Sequence, residues 1–103
     1  MNKIITTSTN SLKIAKNISK TLLEKKLSPC VQIVGKILSE YIWEGEICSQ
    51  REFLVLIKCN SLDIKDITKS IKKLHNYDIP EIIETDIKIL DSDYQKWFND
   101  SLM

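Results

Sequence analysis

Apolar residues recur at intervals of three and four from Ile64 through Ile67 and Ile71 to Leu74, the spacing that lines one face of a helix. Ser61 stands just ahead of that run and is placed to cap it. An earlier stretch shows the same period. Leu12, Ala15, Ile18, Leu22 and Leu23 follow two candidate caps, Asn10 and Ser11, and Ser28-Pro29 stops the run, because proline disfavours helix in the residue before it. The other hydrophobic positions read as strands. Residues 3–8 (KIITTS) are rich in β-branched side chains, and residues 30–43 (CVQIVGKILSEYIW) form a long extended segment. Glu44-Gly45 supplies a turn at which Gly45 can take positive φ, and residues 47–59 return as the partner strand with FLVLI as its centre. Ile83, Thr85, Ile87 and Ile89 alternate with Glu84, Asp86 and Lys88, the pattern of a strand with one covered face. After Asp91, Ser92 and Gln95 have the spacing of a capping box, and Tyr94, Trp97 and Phe98 share one face of a short terminal helix.

The order β-α-β-β-α-β plus a small helix, with right-handed crossovers, predicts an α+β fold. It is a ferredoxin-like antiparallel sheet with two helices on one face, a long hairpin between the second and third strands, and a short C-terminal helix. With no repeat or linker in 103 residues, the chain reads as one domain spanning 1–103. One length does not fit a solitary domain. Fourteen extended residues reach about 46 Å at roughly 3.3 Å each, whereas a compact chain of this size is about 34 Å across, from a radius of gyration near 13 Å. The hairpin should therefore overhang its own sheet unless Gly35 bends or bulges it. The apolar Ile37, Leu38, Tyr41, Ile42, Trp43 and Ile47 would then face water, so the hairpin predicts an obligate oligomer.

Composition narrows the function classes. Fifteen basic against fourteen acidic side chains give a net charge of +1, with no long block of either sign, which argues against nucleic acid or a membrane surface as partner. Lys65, Lys69, Lys72 and Lys73 lie off the apolar stripe of the second helix. They read as a solvated face, with a polyanion-binding patch as the alternative. MNKIITTSTN lacks a secretory h-region and no apolar run approaches about 20 residues, so a soluble, cytoplasmic protein is expected. Cys30, Cys48 and Cys59 are widely spaced and odd in number, which suits free thiols in a reducing compartment.

Four local patterns resemble the CutA family, small trimeric proteins named for divalent-cation tolerance. They are Cys30-Val31-Gln32-Ile33 after Glu24-Lys25-Lys26-Leu27; Tyr41-x-Trp43-x-Gly45; Glu52 leading into Leu56-Ile57-Lys58; and His75-x-Tyr77-x-x-Pro80-Glu81 followed by Tyr94-x-x-Trp97. The resemblance covers nearly the whole chain and implies a homotrimer of ferredoxin-like subunits. Copper or other divalent-metal binding is attributed to bacterial members, and animal relatives are linked to acetylcholinesterase anchoring, for which nothing in this chain speaks. Some positions depart from the family. Asn76 stands where proline is common, Thr85-Asp86 is more polar than usual, and the first strand ends in Thr6 and Thr7 where members with an implicated copper site have cysteine. Those members also carry two adjacent histidines, whereas His75 is the only histidine here.

The resemblance implies metal as the cofactor, copper or another divalent ion, with His75, Cys30 and Glu81 as the candidate ligands. His75 is a borderline ligand for Cu or Zn. Its position at the end of the second helix also suits a hydrogen bond to a free carbonyl. Cys30 reads first as a small buried strand hydrophobe, with ligation as the lesser alternative. No motif supplies His75 with a nucleophile or an orienting acid, so the chain is read as non-enzymatic. Tyr41, Trp43, Tyr77, Tyr94 and Trp97 are candidates for a ligand cleft or a subunit interface, and Glu52 and Lys58, on strands that read as buried, are expected to pair across a subunit boundary if they point inward. Two further functions stay open: a small-molecule sensor of the PII type with a ligand between chains, and a structural trimer whose metal binding is incidental.

Overall fold

In the computed structural model, which describes all 103 residues, the β-branched opening forms β1 (Asn2–Thr9). The chain continues through α1 (Leu12–Glu24), β2 (Cys30–Trp43), β3 (Glu46–Asn60), a 3-10 turn (Ser61–Asp63), α2 (Ile64–Leu74), β4 (Ile83–Ile87) and α3 (Ser92–Ser101). The strands make one antiparallel sheet in the order β2-β3-β1-β4, which is the ferredoxin-like arrangement. Register decides which side chains meet the helices. Ile5 lies opposite Ile57, Thr7 opposite Val55 and Val31 opposite Ile57, so odd-numbered positions of β1, β3 and the first part of β2 share one face. On that face Ile5, Val55, Ile57 and Cys59 close a core with Ala15, Ile18 and Leu22 of α1 and Ile67 and Ile71 of α2. Burying each such aliphatic side chain contributes about 1.5–3 kcal/mol.

The helix ends differ from the sequence reading in three places. Asn60, not Ser61, accepts the N–H of Leu62 and opens the 3-10 turn, and α2 follows without a side-chain cap. Asp91 caps α3 by accepting the Tyr94 N–H at 2.9 Å, while Gln95 is drawn away to accept from Asn2 Nδ2 at 2.7 Å, so Ser92 and Gln95 form no capping box. α1 stops at Glu24, ahead of Ser28-Pro29: Lys26 turns to φ 56° and the Leu27 N–H closes back on the Leu22 carbonyl at 3.0 Å.

The hairpin overhangs as its length requires. β1 pairs with β3 only as far as Phe53, and beyond it Ile37–Trp43 of β2 and 46–52 of β3 pair with each other alone. The molecule is 46 Å long and only 25 by 22 Å across. Gly35 and Lys36 together face Phe53, a bulge that shifts the register by one residue between Val34 and Ile37. The Phe53 ring occupies the space a Cβ on Gly35 would need, so the bulge requires glycine there. At the tip, Glu44 (φ 50°) and Gly45 (φ 79°) form a two-residue turn whose two positive φ angles match the strand twist.

The last strand corrects the sequence reading more deeply. β4 ends at Ile87, and its apolar alternation does not face the helices. Ile83 lies opposite Thr6 and Thr85 opposite Ile4, on the reverse face of the sheet, and Ile83 is 54 % exposed. Glu84 and Asp86 lie on the helix side, where both bind the Lys3 ammonium, at 3.0 and 2.7 Å. The reverse face is covered by this chain only at one end, where α3 meets Lys58 and Asn2 and buries Phe98.

Candidate functional site

The candidate residues divide into two clusters at opposite ends of the sheet. The first forms where α2 ends. The apolar stripe runs out at Leu74, and His75 takes an extended conformation as the C-terminal cap, its N–H still bonded to the Ile71 carbonyl. Nδ1 of its ring accepts the Tyr77 N–H at 3.0 Å, which assigns the ring proton to Nε2, and Nε2 donates to the Ser8 carbonyl at 2.8 Å. Both nitrogens are thus committed to backbone groups. In this chain His75 is neither a free base nor a free ligand; it ties α2 to the end of β1.

The Tyr77 ring leans on His75, with centroids 4.8 Å apart, and its hydroxyl donates to Glu52 Oε2 at 2.7 Å. Glu52 is only 6 % exposed, so the phenol replaces water as a charge-assisted donor. Burial, and then this carboxylate, hold the Tyr77 hydroxyl well above the usual phenol range, so it remains a donor at any neutral pH. Around them Thr9 donates to Asn76 Oδ1 at 2.7 Å and Asn76 Nδ2 to Asn10 Oδ1 at 2.8 Å. Sequence reasoning marked Asn76 only as a departure from proline. Its signal was the pair of amides, Asn10 and Asn76, each placed at the end of a secondary-structure element. Nearby on the hairpin the Tyr41 hydroxyl donates to Gln50 at 3.2 Å, while Trp43 is half-exposed at the tip.

The second cluster sits where β3 meets α3. Lys58 lies next to Cys30 across the strands, donates to the Tyr94 hydroxyl at 3.1 Å and lies 5.3 Å from that ring's centroid, and Tyr94 stacks at a tilt on Trp97. The Tyr94 hydroxyl holds the ammonium above its ordinary pKa, partly offset by burial. Glu52 and Lys58 therefore find phenol partners within the chain. Ser28, marked in the sequence only as part of the helix stop, is wholly buried and fixes Cys30 by donating to the Lys58 carbonyl at 2.6 Å and accepting the Cys30 N–H at 3.2 Å.

The three candidate metal ligands are not brought together. Cys30 is level with Lys58 and Ile4, whereas His75 reaches Ser8, four residues further along β1 and so about 13 Å away along the sheet. Glu81 is exposed between Pro80 and β4. No group of three His, Cys, Asp or Glu side chains lies within reach of one ion. A depression of about 850 Å³, open to solvent, lies elsewhere, beside Lys3, Ile64, Lys65, Lys69 and Glu84. No helix is long and apolar enough to cross a membrane.

The chain as a whole has known counterparts in sequence and fold. The family model described as "CutA1 divalent ion tolerance protein" matches residues 3–101. The chain belongs to the CutA1 family. It is 31 % identical to the divalent-cation tolerance protein CutA of Thermus thermophilus over 98 % of both chains. With the mouse protein CutA the identity is 32 % over 82 % of this chain, which spans about half (48 %) of the mouse protein's length. The solved structure of the periplasmic divalent cation tolerance protein CutA from Archaeoglobus fulgidus superposes with a TM-score of 0.94 over the full length of both chains, at 32 % identity. The chain therefore has the ferredoxin-like α+β fold of that family.

Proposed function

We propose that this CutA1 chain works as a homotrimer that associates weakly with divalent or copper ions and supports cation tolerance without turnover. The observation that carries the proposal is the uncovered apolar surface. Ile42 is 75 % and Ile47 82 % exposed on the overhanging hairpin, while Val34 and Ile83 stand open on the reverse face of the sheet. Edge strands and apolar patches of this extent call for copies of the same chain. A metal site, having no three-ligand group within one chain, would have to be assembled between subunits, with Cys30 and Glu81 as candidate contributors and His75 joining them only by giving up one of its two backbone hydrogen bonds. Thiols would direct it towards Cu(I) or Zn. The three unpaired cysteines favour a reducing, cytoplasmic setting.

Competitive Cu(I) and Cu(II) titrations of the wild type, Cys30→Ser, Glu81→Gln and His75→Ala test the metal reading. Loss of stoichiometry in one or more variants supports it; unchanged stoichiometry and affinity in all three removes these residues from any site.

A further inference from the structure

The near-zero net charge conceals a segregation that only the fold makes spatial. Residues 10–29 and 61–75, which build the helical layer, carry nine lysines against Glu24, Asp63 and Asp66, a net +6. Residues 76–103 carry two lysines against seven carboxylates, a net −5. Of the nine lysines, Lys20 alone meets a side-chain carboxylate, Glu24 at 3.8 Å, and Lys26 donates to the main-chain oxygen of Met103 at 2.7 Å. Lys65, Lys69 and Lys73 follow one another every fourth residue along α2, a rise of about 6 Å per step. Like charges at this spacing repel one another along a helix, so the stripe is held against its own repulsion. The packing of α1 beside α2 then adds Lys25: with Lys69, Lys73 and the Ser70 hydroxyl it lines a depression of about 420 Å³. This depression shares Asp66 and Lys69 with the 850 Å³ groove that Lys65 lines, so the two form one trough along the helix.

We propose that this lysine-lined trough on the α1/α2 face is a binding surface for a linear condensed phosphate, an inorganic polyphosphate chain. Two features favour phosphate alone over nucleic acid. The cations are all lysine, point charges that suit phosphate oxygens without the bidentate geometry that reads a base edge. The exposed aromatics Tyr41, Trp43 and Trp97 lie on the hairpin and α3, so the trough offers no ring on which a base could stack. The surface lies on the opposite side of the sheet from the uncovered apolar face, so subunit association leaves it available.

Fluorescence anisotropy with dye-labelled long-chain inorganic polyphosphate tests this, using the full chain and, as competitor, single-stranded RNA of equal phosphate content. Binding should weaken roughly tenfold or more when salt rises from about 50 to 200 mM, as counterion release requires. Lys69→Glu with Lys73→Glu should weaken binding at least about tenfold, whereas Lys88→Glu with Lys96→Glu, an equal charge change outside the trough, should leave it within about threefold of wild type. A melting scan of each variant verifies folding, and the milder Lys69→Gln with Lys73→Gln replaces any that fails. Equal losses in both pairs, absence of binding at about 50 mM salt, or RNA competing as well as polyphosphate would each overturn the proposal.

Discussion

Replacing Tyr77 with phenylalanine removes one oxygen and leaves the ring free to stay against His75. The change isolates the hydroxyl's bond to Glu52, 2.7 Å long and made to a carboxylate 6 % exposed. Hydrogen bonds to charged groups contribute about 1.5–3 kcal/mol, and a buried carboxylate left without its donor incurs the upper part of that range. Tyr77→Phe should therefore lower stability by about 2 kcal/mol. Glu52→Gln, whose amide oxygen can still accept from Tyr77, should cost about 1 kcal/mol or less. In the double variant the effects should couple by about 1 kcal/mol or more. Chemical unfolding at one fixed protomer concentration, followed by tryptophan fluorescence, gives these values; the concentration matters because association contributes to apparent stability. Alkaline pH supplies a second reading. The folded-state pKa of Tyr77 lies above its unfolded value, so its contribution is whole below about pH 10 and is lost as pH rises through the folded pKa. Above about pH 10 the wild type should lose stability more steeply than Tyr77→Phe, by up to about 1.4 kcal/mol per pH unit. A Tyr77→Phe protein within about 0.5 kcal/mol of wild type, with no coupling and a parallel alkaline slope, would refute the role given to this bond.

Gly35→Ala should destabilise by about 1–3 kcal/mol in the same assay, because its methyl collides with the Phe53 ring, and Phe53→Leu in that background should recover part of the loss. Thr7 is wholly buried and its hydroxyl has no partner, so Thr7→Val should raise stability by about 1 kcal/mol; a loss instead would mean that the hydroxyl is satisfied in solution. Burial pushes the Cys59 thiol up to about 11, so a disulfide reagent at pH 8 should modify Cys30 and Cys48 well before it reaches Cys59, as peptide mapping would show.

The sequence disclosed the periodic parts of the molecule. The Ile64-Ile67-Ile71-Leu74 stripe became α2, and the arithmetic of a 14-residue strand became a hairpin standing beyond its sheet. Hydrogen-bond partners were less legible, because local spacing names candidates and only the fold chooses among them. Gln95 has the right offset from Ser92 for a capping box, yet the start of β1 lies close enough for Asn2 to claim it. The alternation in β4 was visible, but not its direction: a period of two says that one face is apolar, while only the register with β1 says which side it takes. At the candidate site the corner joins three segments separated by long stretches of chain: Ser8 of β1, Glu52 of β3, and His75 with Tyr77 after α2. The sequence offered its residue types without their pairing. His75 was open in the sequence to two readings, a metal ligand or a helix-end hydrogen bond to a carbonyl, and the fold shows the second, with both ring nitrogens bound to backbone groups.

Light scattering on the purified chain bears most directly on the claim that the hairpin and the reverse face of the sheet are covered by copies of the same protein. At micromolar concentration the wild type should have three times the 11.9 kDa chain mass, about 36 kDa. Ile42→Asp with Ile47→Asp should break the assembly into smaller species. A wild type that elutes as a stable, well-folded 11.9 kDa monomer under those conditions would contradict it.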